Sequence, residues 1–281
     1  MMRTSKADRY VAFVATYLPR LMAVTGVSYD KETSWRGLPL ICAAERAAEL
    51  PGLFLEFGVY QGNSINYCAE KFPDRRFFGF DSFEGFPDDG RSDWQGDFST
   101  QGTLPKVRDN VTLIKGYFST TLPRFLASNK EPIAFINVDC DIYSSTKDVF
   151  DNLNDSGILR PGLPISFDEL INYDSYLWNE MLALFEVLEE TGLGIQWISA
   201  HQRVRTIDET IFLLKSNTFP TWAADLANGY RQQASLVLTS ESLDLSVLSD
   251  PRVYRRIRQM ADDFVQLTEK RHPTMLDRVK G

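Results

Sequence analysis

LEFGVYQGNSI, residues 55–65, begins at the end of an apolar run and passes through Gly58 and Gly62 into a segment of helical character. A strand that ends in a glycine turn and leads into a helix is the opening unit of open α/β folds, where ligands bind beyond the carboxyl ends of the strands. The glycines have two readings. Without a Cβ they let backbone approach a bound cofactor closely, and they equally serve a strand that must turn sharply into a helix.

Working outward, FLEFGV, FFGFD, VTLIK, IAFINVD, LPISFDE, IQWISAH and TIFLLK are short apolar runs rich in β-branched and aromatic residues, and segments of helical period alternate with them. That alternation predicts a mostly parallel sheet with helices on both faces. Only RVRTIDE separates IQWISAH from TIFLLK, too little for a crossover helix, which predicts an antiparallel hairpin at the sheet's end. Trp178, Met181, Leu182, Phe185 and Leu188 recur at helical spacing and read as a core-facing stripe.

Residues 1–50 read as a helical N-terminal segment, residues 51–216 as the α/β core and residues 217–281 as a helical C-terminal extension. In the extension, Asp250 and Pro251 suit the N-cap and first turn of a helix. Its Val253, Ile257, Met260, Phe264 and Leu267 form a narrow seam, which fits either the domain's own surface or a homodimer contact.

The 281 residues are 43% hydrophobic and carry a net charge of −8 with a pI near 5.0. An acidic chain is poorly suited to neutralising phosphates, which argues against a nucleic-acid partner. The opening MMRTSKADRY lacks a signal peptide's apolar core, and no apolar run approaches the roughly 20 residues that span a bilayer. Cys42, Cys68 and Cys140 form no CxxC pair and read as small core residues of a reducing compartment. The expectation is a cytoplasmic protein without a membrane partner.

Asp81 ends FFGFD 19 residues past Gly62, close to where dinucleotide folds place the acid that accepts ribose hydroxyls. A dinucleotide fits poorly. GxGxxG is absent, and Glu56 stands just before Gly58, where a carboxylate repels a pyrophosphate at the helix N-terminus. A carboxylate there suits a cation, and S-adenosylmethionine carries a sulfonium and an ammonium, a ribose and no phosphate. Farther on, INVDCDIYSST puts Asp139 at a strand end with Asp141 beyond it, and ISFDEL puts Asp168 and Glu169 at the next. Carboxylates gathered in one cleft repel one another and must be paired, protonated or bridged by a cation such as Mg²⁺. Asp141 has the alternative of capping a helix that begins near Ser144.

The order LEFGVYQGNSI, FFGFDSFEGFP, VTLIKGYFSTTLP, INVDCDIYSST and ISFDEL resembles the macrocin O-methyltransferase family of class I S-adenosylmethionine-dependent methyltransferases, over about residues 50–215. The resemblance implies a Rossmann-like, seven-stranded, mostly parallel sheet with an antiparallel last strand. It implies S-adenosylmethionine across the glycine turn, with Glu56, Gly58, Tyr60 and Gly62 at its methionine end, Asp81 on the ribose, and Ser82 and Phe83 near the adenine. Phe57, Ser64, Gly116 and Asp139 complete the implied cofactor-binding set. Asp139, Asp168 and Glu169 match the positions with which relatives hold Mg²⁺, although the adjacent pair here is Asp-Glu, not Asp-Asp.

The resulting expectation is O-methylation of a hydroxyl on a small polar metabolite, a sugar or glycosylated natural product, with Asp139 as general base and Asp168 beside it. N-methylation on the same fold, a non-catalytic binding protein and a NAD oxidoreductase are the rivals. His201 and His272 read as structural and solvated respectively, and Arg203 and Arg205 as solvated edge charges.

Overall fold

The computed structural model describes residues 4–24, 38–87 and 98–281. The parts of the N-terminal segment at residues 1–3 and 25–37 lie outside the described residues. β1 (Leu53–Phe57), β2 (Phe77–Asp81), β3 (Val111–Lys115), β4 (Ile133–Val138), β5 (Pro164–Phe167), β6 (Gly194–Ala200) and β7 (Ala234–Thr239) form one seven-stranded sheet. Its order is β3-β2-β1-β4-β5-β7-β6. Strands β1 to β5 pair in parallel, and β7 runs antiparallel to both of its neighbours. This is the Rossmann-like methyltransferase fold.

Helices α1 (Lys6–Met22), α2 (Leu38–Arg46), α3 (Asn63–Lys71), α4 (Phe118–Ser128), α5 (Tyr143–Asp155), α6 (Glu180–Thr191), α7 (Ile207–Ser216), α8 (Trp222–Ala227), α9 (Pro251–Arg271) and α10 (Leu276–Lys280) surround it. The pleat of β1 sorts its side chains between two apolar layers. Leu53, Leu55 and Phe57 join the layer built with α1, α4, α5, α6 and α9, whereas Phe54 joins the layer built with α2 and α3. Fully burying a large apolar side chain contributes about 1.5–3 kcal/mol, so these layers supply most of the drive to fold.

The helical stripe from Trp178 to Leu188 is buried as its spacing predicts. Asp250 caps α9, accepting the backbone N–H groups of Arg252 at 2.7 Å and Val253 at 3.3 Å. Four positions of the α9 seam, Ile257, Met260, Phe264 and Leu267, are buried within this chain, and Val253 is exposed. Phe264 lies 5.5 Å from the Tyr10 ring and stacks on Trp178 at 5.3 Å.

One predicted strand is a helix. TIFLLK lies in α7, because Thr206 and Glu209 form a capping box and Ile207, Ile211 and Leu214 bury a face at helical spacing. No short hairpin follows β6. The chain instead passes through α7 and α8 before β7 inserts between β5 and β6. The sheet's seventh strand therefore comes from residues beyond 216, within the segment read as a helical extension.

Candidate active site

The turns beyond β1, β2, β4 and β5 meet around a cleft of about 690 Å³. Gly58 answers the question its sequence raised. It sits at φ +90°, and a Cβ there would lie 1.8 Å from the backbone oxygen of Asp139. Its own N–H donates to Phe80 O at 2.9 Å, and the N–H of Asp139 donates to Phe57 O at 2.8 Å. Glycine is needed because the ends of β1 and β4 converge on this point, and the same bareness opens the cleft beside it. Gly62 takes φ +79° as the N-cap of α3, the third left-handed step of the turn after Gly58 and Tyr60.

Three residues with side chains also adopt left-handed backbone at these strand ends: Tyr60 at φ +47°, Phe83 at +59° and Asp141 at +60°. Such conformations cost on the order of 1–3 kcal/mol each and persist where surrounding bonds over-determine them. For two of them the bonds come from Asp81. Its Oδ2 accepts the N–H groups of Val59 at 2.8 Å and Tyr60 at 2.7 Å, and its Oδ1 accepts that of Phe83 at 2.6 Å. Its backbone oxygen accepts Gly116 N–H at 2.9 Å.

Polar residues run in register across the sheet on the face toward α2 and α3. Glu56 pairs with Asn137, Asn137 with Ser166, Ser166 with Ser235 and Ser235 with Ser199, all buried. Glu56 lies behind the cleft wall. Its Oε1 accepts the Ser64 hydroxyl at 2.8 Å and its Oε2 the Asn137 amide at 3.0 Å, and those two partners face the cleft. Burial, opposed by those two bonds, pushes the Glu56 carboxyl up to about 8.

Asp139 and Asp168 line the cleft at neighbouring strand ends, as the sequence implies, with Asp141 and Glu169 beside them. Burial first, then the charges of Asp168, Asp141, Glu56 and Glu180, holds Asp139 well above the usual carboxylate range. Gln233, just ahead of β7, donates from Nε2 to Asp168 Oδ1 at 3.1 Å, while its buried Oε1 has no hydrogen-bond partner among the described residues. The N-cap of α5 is Ile142, with no side-chain cap, so Asp141 does not take the capping role open to it in the sequence.

Of the implied cofactor residues, Gly58, Tyr60, Ser64, Asp81, Ser82 and Asp139 face the cleft. Glu56, Phe57, Gly62, Phe83 and Gly116 do not line it. Ser82 is tied to its own turn, donating to Gly85 O at 2.8 Å and accepting Glu84 N–H at 3.1 Å. The implied metal set does not fit. Among the described residues no group of three or more His, Cys, Asp or Glu side chains is arranged to hold a metal ion.

Glu180, Asn137 and Gln233 are the residues that sequence reasoning missed. Glu180 is fully buried at the start of α6, and burial and Glu169 push its carboxyl well up. Asn137 had a readable signal, a polar residue inside an otherwise apolar strand. Other corrections concern the basic residues. Arg205 is buried, pairs with Asp225 and lies 3.9 Å over the Tyr230 ring, and His272 is half-buried with its ring 4.3 Å from that of Trp178. His201 is buried outside the cleft lining, with its imidazole pushed down to about 4 by burial and by Arg231.

A seven-stranded sheet in this order brings a glycine turn and strand-end carboxylates together around one cleft. Residues 55–170 match the family model described as a methyltransferase domain, and with that domain the chain is an enzyme, a methyltransferase. Among solved structures, the chain is similar to CalS11, a calicheamicin methyltransferase, at 25% identity over 65% of this chain and 86% of that one, with a TM-score of 0.44. An O-methyltransferase from Bacillus cereus in complex with SAH is 13% identical over 84% of this chain and 93% of its own, with a TM-score of 0.43. No curated protein matches the chain.

Proposed function

We propose that this methyltransferase uses S-adenosylmethionine to methylate a hydroxyl of a small polar metabolite, a sugar or a glycosylated natural product. The observation that carries the reading is the placement of Asp139 and Asp168 at adjacent strand ends in the same cleft as the glycine turn. The motif order DSFEGFP, KGYFSTTLP and DCDIYSST supports the narrower resemblance to macrocin O-methyltransferases.

The residues present fit such a cofactor. Gly58 leaves space beside the turn, and Ser64 and Asn137, held from behind by Glu56, give the methionine end hydrogen-bonding groups suited to an ammonium. When bound, S-adenosylmethionine supplies an electrophilic methyl on a sulfonium. The chain's own work is alignment and proton removal. Asp139, whose carboxyl burial and neighbouring acids hold well above the usual carboxylate range, accepts the hydroxyl proton, and Asp168, steadied by Gln233, stands beside it. The half-exposed rings of Tyr117 and Trp222 edge the cleft with apolar faces next to the amides of Gln232 and Gln233, a combination that suits a polyhydroxylated ring.

The test is methyl transfer from isotopically labelled S-adenosylmethionine to a panel of neutral glycosides and their aglycones, with S-adenosylhomocysteine release as the readout. Label on a sugar oxygen is the expected result. Label on nitrogen alone, or no cofactor binding by calorimetry, overturns the reading.

A further inference from the structure

Part of the cleft wall comes from outside the residues that match the methyltransferase domain. Trp222, Gln232 and Gln233 line the cleft, and all three belong to the stretch between β6 and β7. Because Gln233 donates to Asp168, this edge lies on the side of the cleft where the acceptor's proton leaves. Trp222 opens α8, a helix of six residues, which is too short to hold its own position.

The anchor of this edge is a buried cation. Arg205 is 5% exposed and pairs with Asp225 of α8 through both nitrogens of its fork, Nη1 donating to Asp225 Oδ2 at 3.1 Å and Nη2 to Oδ1. The same Nη1 donates to Asn172 O at 3.0 Å, and the guanidinium lies 3.9 Å over the Tyr230 ring and 4.9 Å over the Phe219 ring. Asn172, left-handed at φ +69°, extends the clasp. Its Nδ2 donates to Arg203 O at 2.8 Å and Arg231 O at 2.6 Å, and its Oδ1 accepts Arg205 N–H at 3.0 Å. Next along the chain, Gln232 O accepts the N–H groups of Leu170 at 2.9 Å and Ile171 at 3.1 Å. The loop after β5, helix α8 and the approach to β7 are thus gathered around one guanidinium. Arg205, Asp225 and Asn172 do not themselves line the cleft. Lysine could meet Asp225 as a point charge, but only a planar fork bonds Asn172 as well while stacking on two rings.

We infer that Arg205 is a positioning residue for the acceptor, which holds Trp222 and Gln232 at the cleft edge and leaves the cofactor's turns untouched. The inference rests on the reading that the acceptor is a neutral hydroxylated ring. An aromatic face beside an amide binds ground state and transition state alike, so displacing it raises KM while kcat holds. A general loss of cleft structure would instead weaken cofactor and acceptor together.

The experiment compares the wild-type protein with three variants, each checked for folding by near-ultraviolet circular dichroism. Arg205→Met combined with Asp225→Leu removes both charges, so that neither is left buried alone. Arg205→Lys is the conservative variant, and Trp222→Ala removes the platform but keeps the clasp. On the glycoside that the wild-type protein methylates, the double variant and Trp222→Ala should each raise acceptor KM by about tenfold or more, with kcat within about threefold. Arg205→Lys should recover part of that loss. Affinity for S-adenosylhomocysteine, measured by calorimetry, should stay within about threefold throughout. An unchanged KM in the double variant overturns the inference, and so does a loss of S-adenosylhomocysteine affinity as large as the rise in KM.

Amide exchange without any ligand tests the clasp separately from the acceptor. Asp225 N–H donates to Thr221 O at 3.0 Å and Tyr230 N–H to Asp225 O at 2.9 Å. Both amides should exchange at least about tenfold faster in the double variant and at the wild-type rate in Trp222→Ala. Unchanged exchange in the double variant overturns the clasp whatever the acceptor. If the wild-type protein methylates no glycoside, the reading of the acceptor fails and the assignment of this edge to it falls as well.

Discussion

Oε1 of Glu180 accepts the backbone N–H of Cys140 at 3.2 Å, so the first residue of α6 holds the turn on which Asp139 and Asp141 stand. Asp141 is left-handed in that turn. The arrangement fixes the strand end from behind while its side chains face the cleft.

Glu180→Leu should therefore free the Cys140 amide in a buried turn, at a cost of about 1–3 kcal/mol for the group left unsatisfied. Glu180→Gln retains an accepting oxygen and should lose less. Affinity for S-adenosylhomocysteine should stay within threefold of wild type in both, while turnover in Glu180→Leu falls at least tenfold. Equal turnover in wild type and Glu180→Leu, measured on folded protein, would show that the turn keeps its shape without this support.

Gly58→Ala should be severe. The new Cβ would stand 1.8 Å from the Asp139 backbone oxygen at a φ of +90°, and neither neighbour can yield because both are strand-end backbone. Urea denaturation without cofactor should show a loss of about 3 kcal/mol or more. A loss below about 1 kcal/mol would mean that the ends of β1 and β4 do not converge as described.

Glu56 makes stability depend on pH with a definite sign. Its carboxyl titrates near 8 in the folded chain against an ordinary value of 4.5, so between those values the folded state binds more protons than the unfolded state. Stability must then fall as pH rises through this window, by up to about 1.4 kcal/mol per pH unit from this group. Glu56→Gln, which keeps a partner for Asn137 and for Ser64, should flatten the slope between pH 5 and 8 and leave the residual slope of the other buried acids. Melting temperatures across that range check it. An unchanged slope assigns the proton uptake to Asp139 or Glu180.

How much of this was legible depends on where the information lay. β1 to β6 appear as apolar runs, the inner strands β1, β4 and β5 because strands buried on both faces carry few polar residues, and Asp81, Asp139 and Asp168 stand out as acids that close such runs. ASLVLT was passed over because its Ala-Ser opening gives no β signal, whereas TIFLLK has strand-like residues but a helix cap in front of it. Glu180 was hidden for a different reason. An acid at the start of an apolar helix reads as a solvated partner of the helix dipole, and only the packing of α6 under the β4 turn makes it part of the site. The bonds from the turn amides to Asp81 were equally out of reach, since those amides become neighbours only when β1 and β2 pair.

The sharpest test of the chemistry is Asp139→Asn. A sugar hydroxyl is a poor nucleophile until its proton leaves, and a positioned carboxylate contributes roughly 10²- to 10⁴-fold to such a step. Asparagine preserves the shape and the backbone bond to Phe57 but cannot accept the proton, so turnover should fall by about that factor. Cofactor affinity should change little, because Gly58, Tyr60, Ser64 and the turns held by Asp81 form the other wall of the cleft. The pH profile adds a check that a structural role would not pass. In the wild-type protein, turnover should rise with pH as Asp139 loses its proton, well above the usual carboxylate range, because burial and the neighbouring acids hold that proton on. In Asp139→Asn the residual rate should lose that rise. Near-normal turnover in the variant, with the profile intact, would move the base to Asp168 or Asp141.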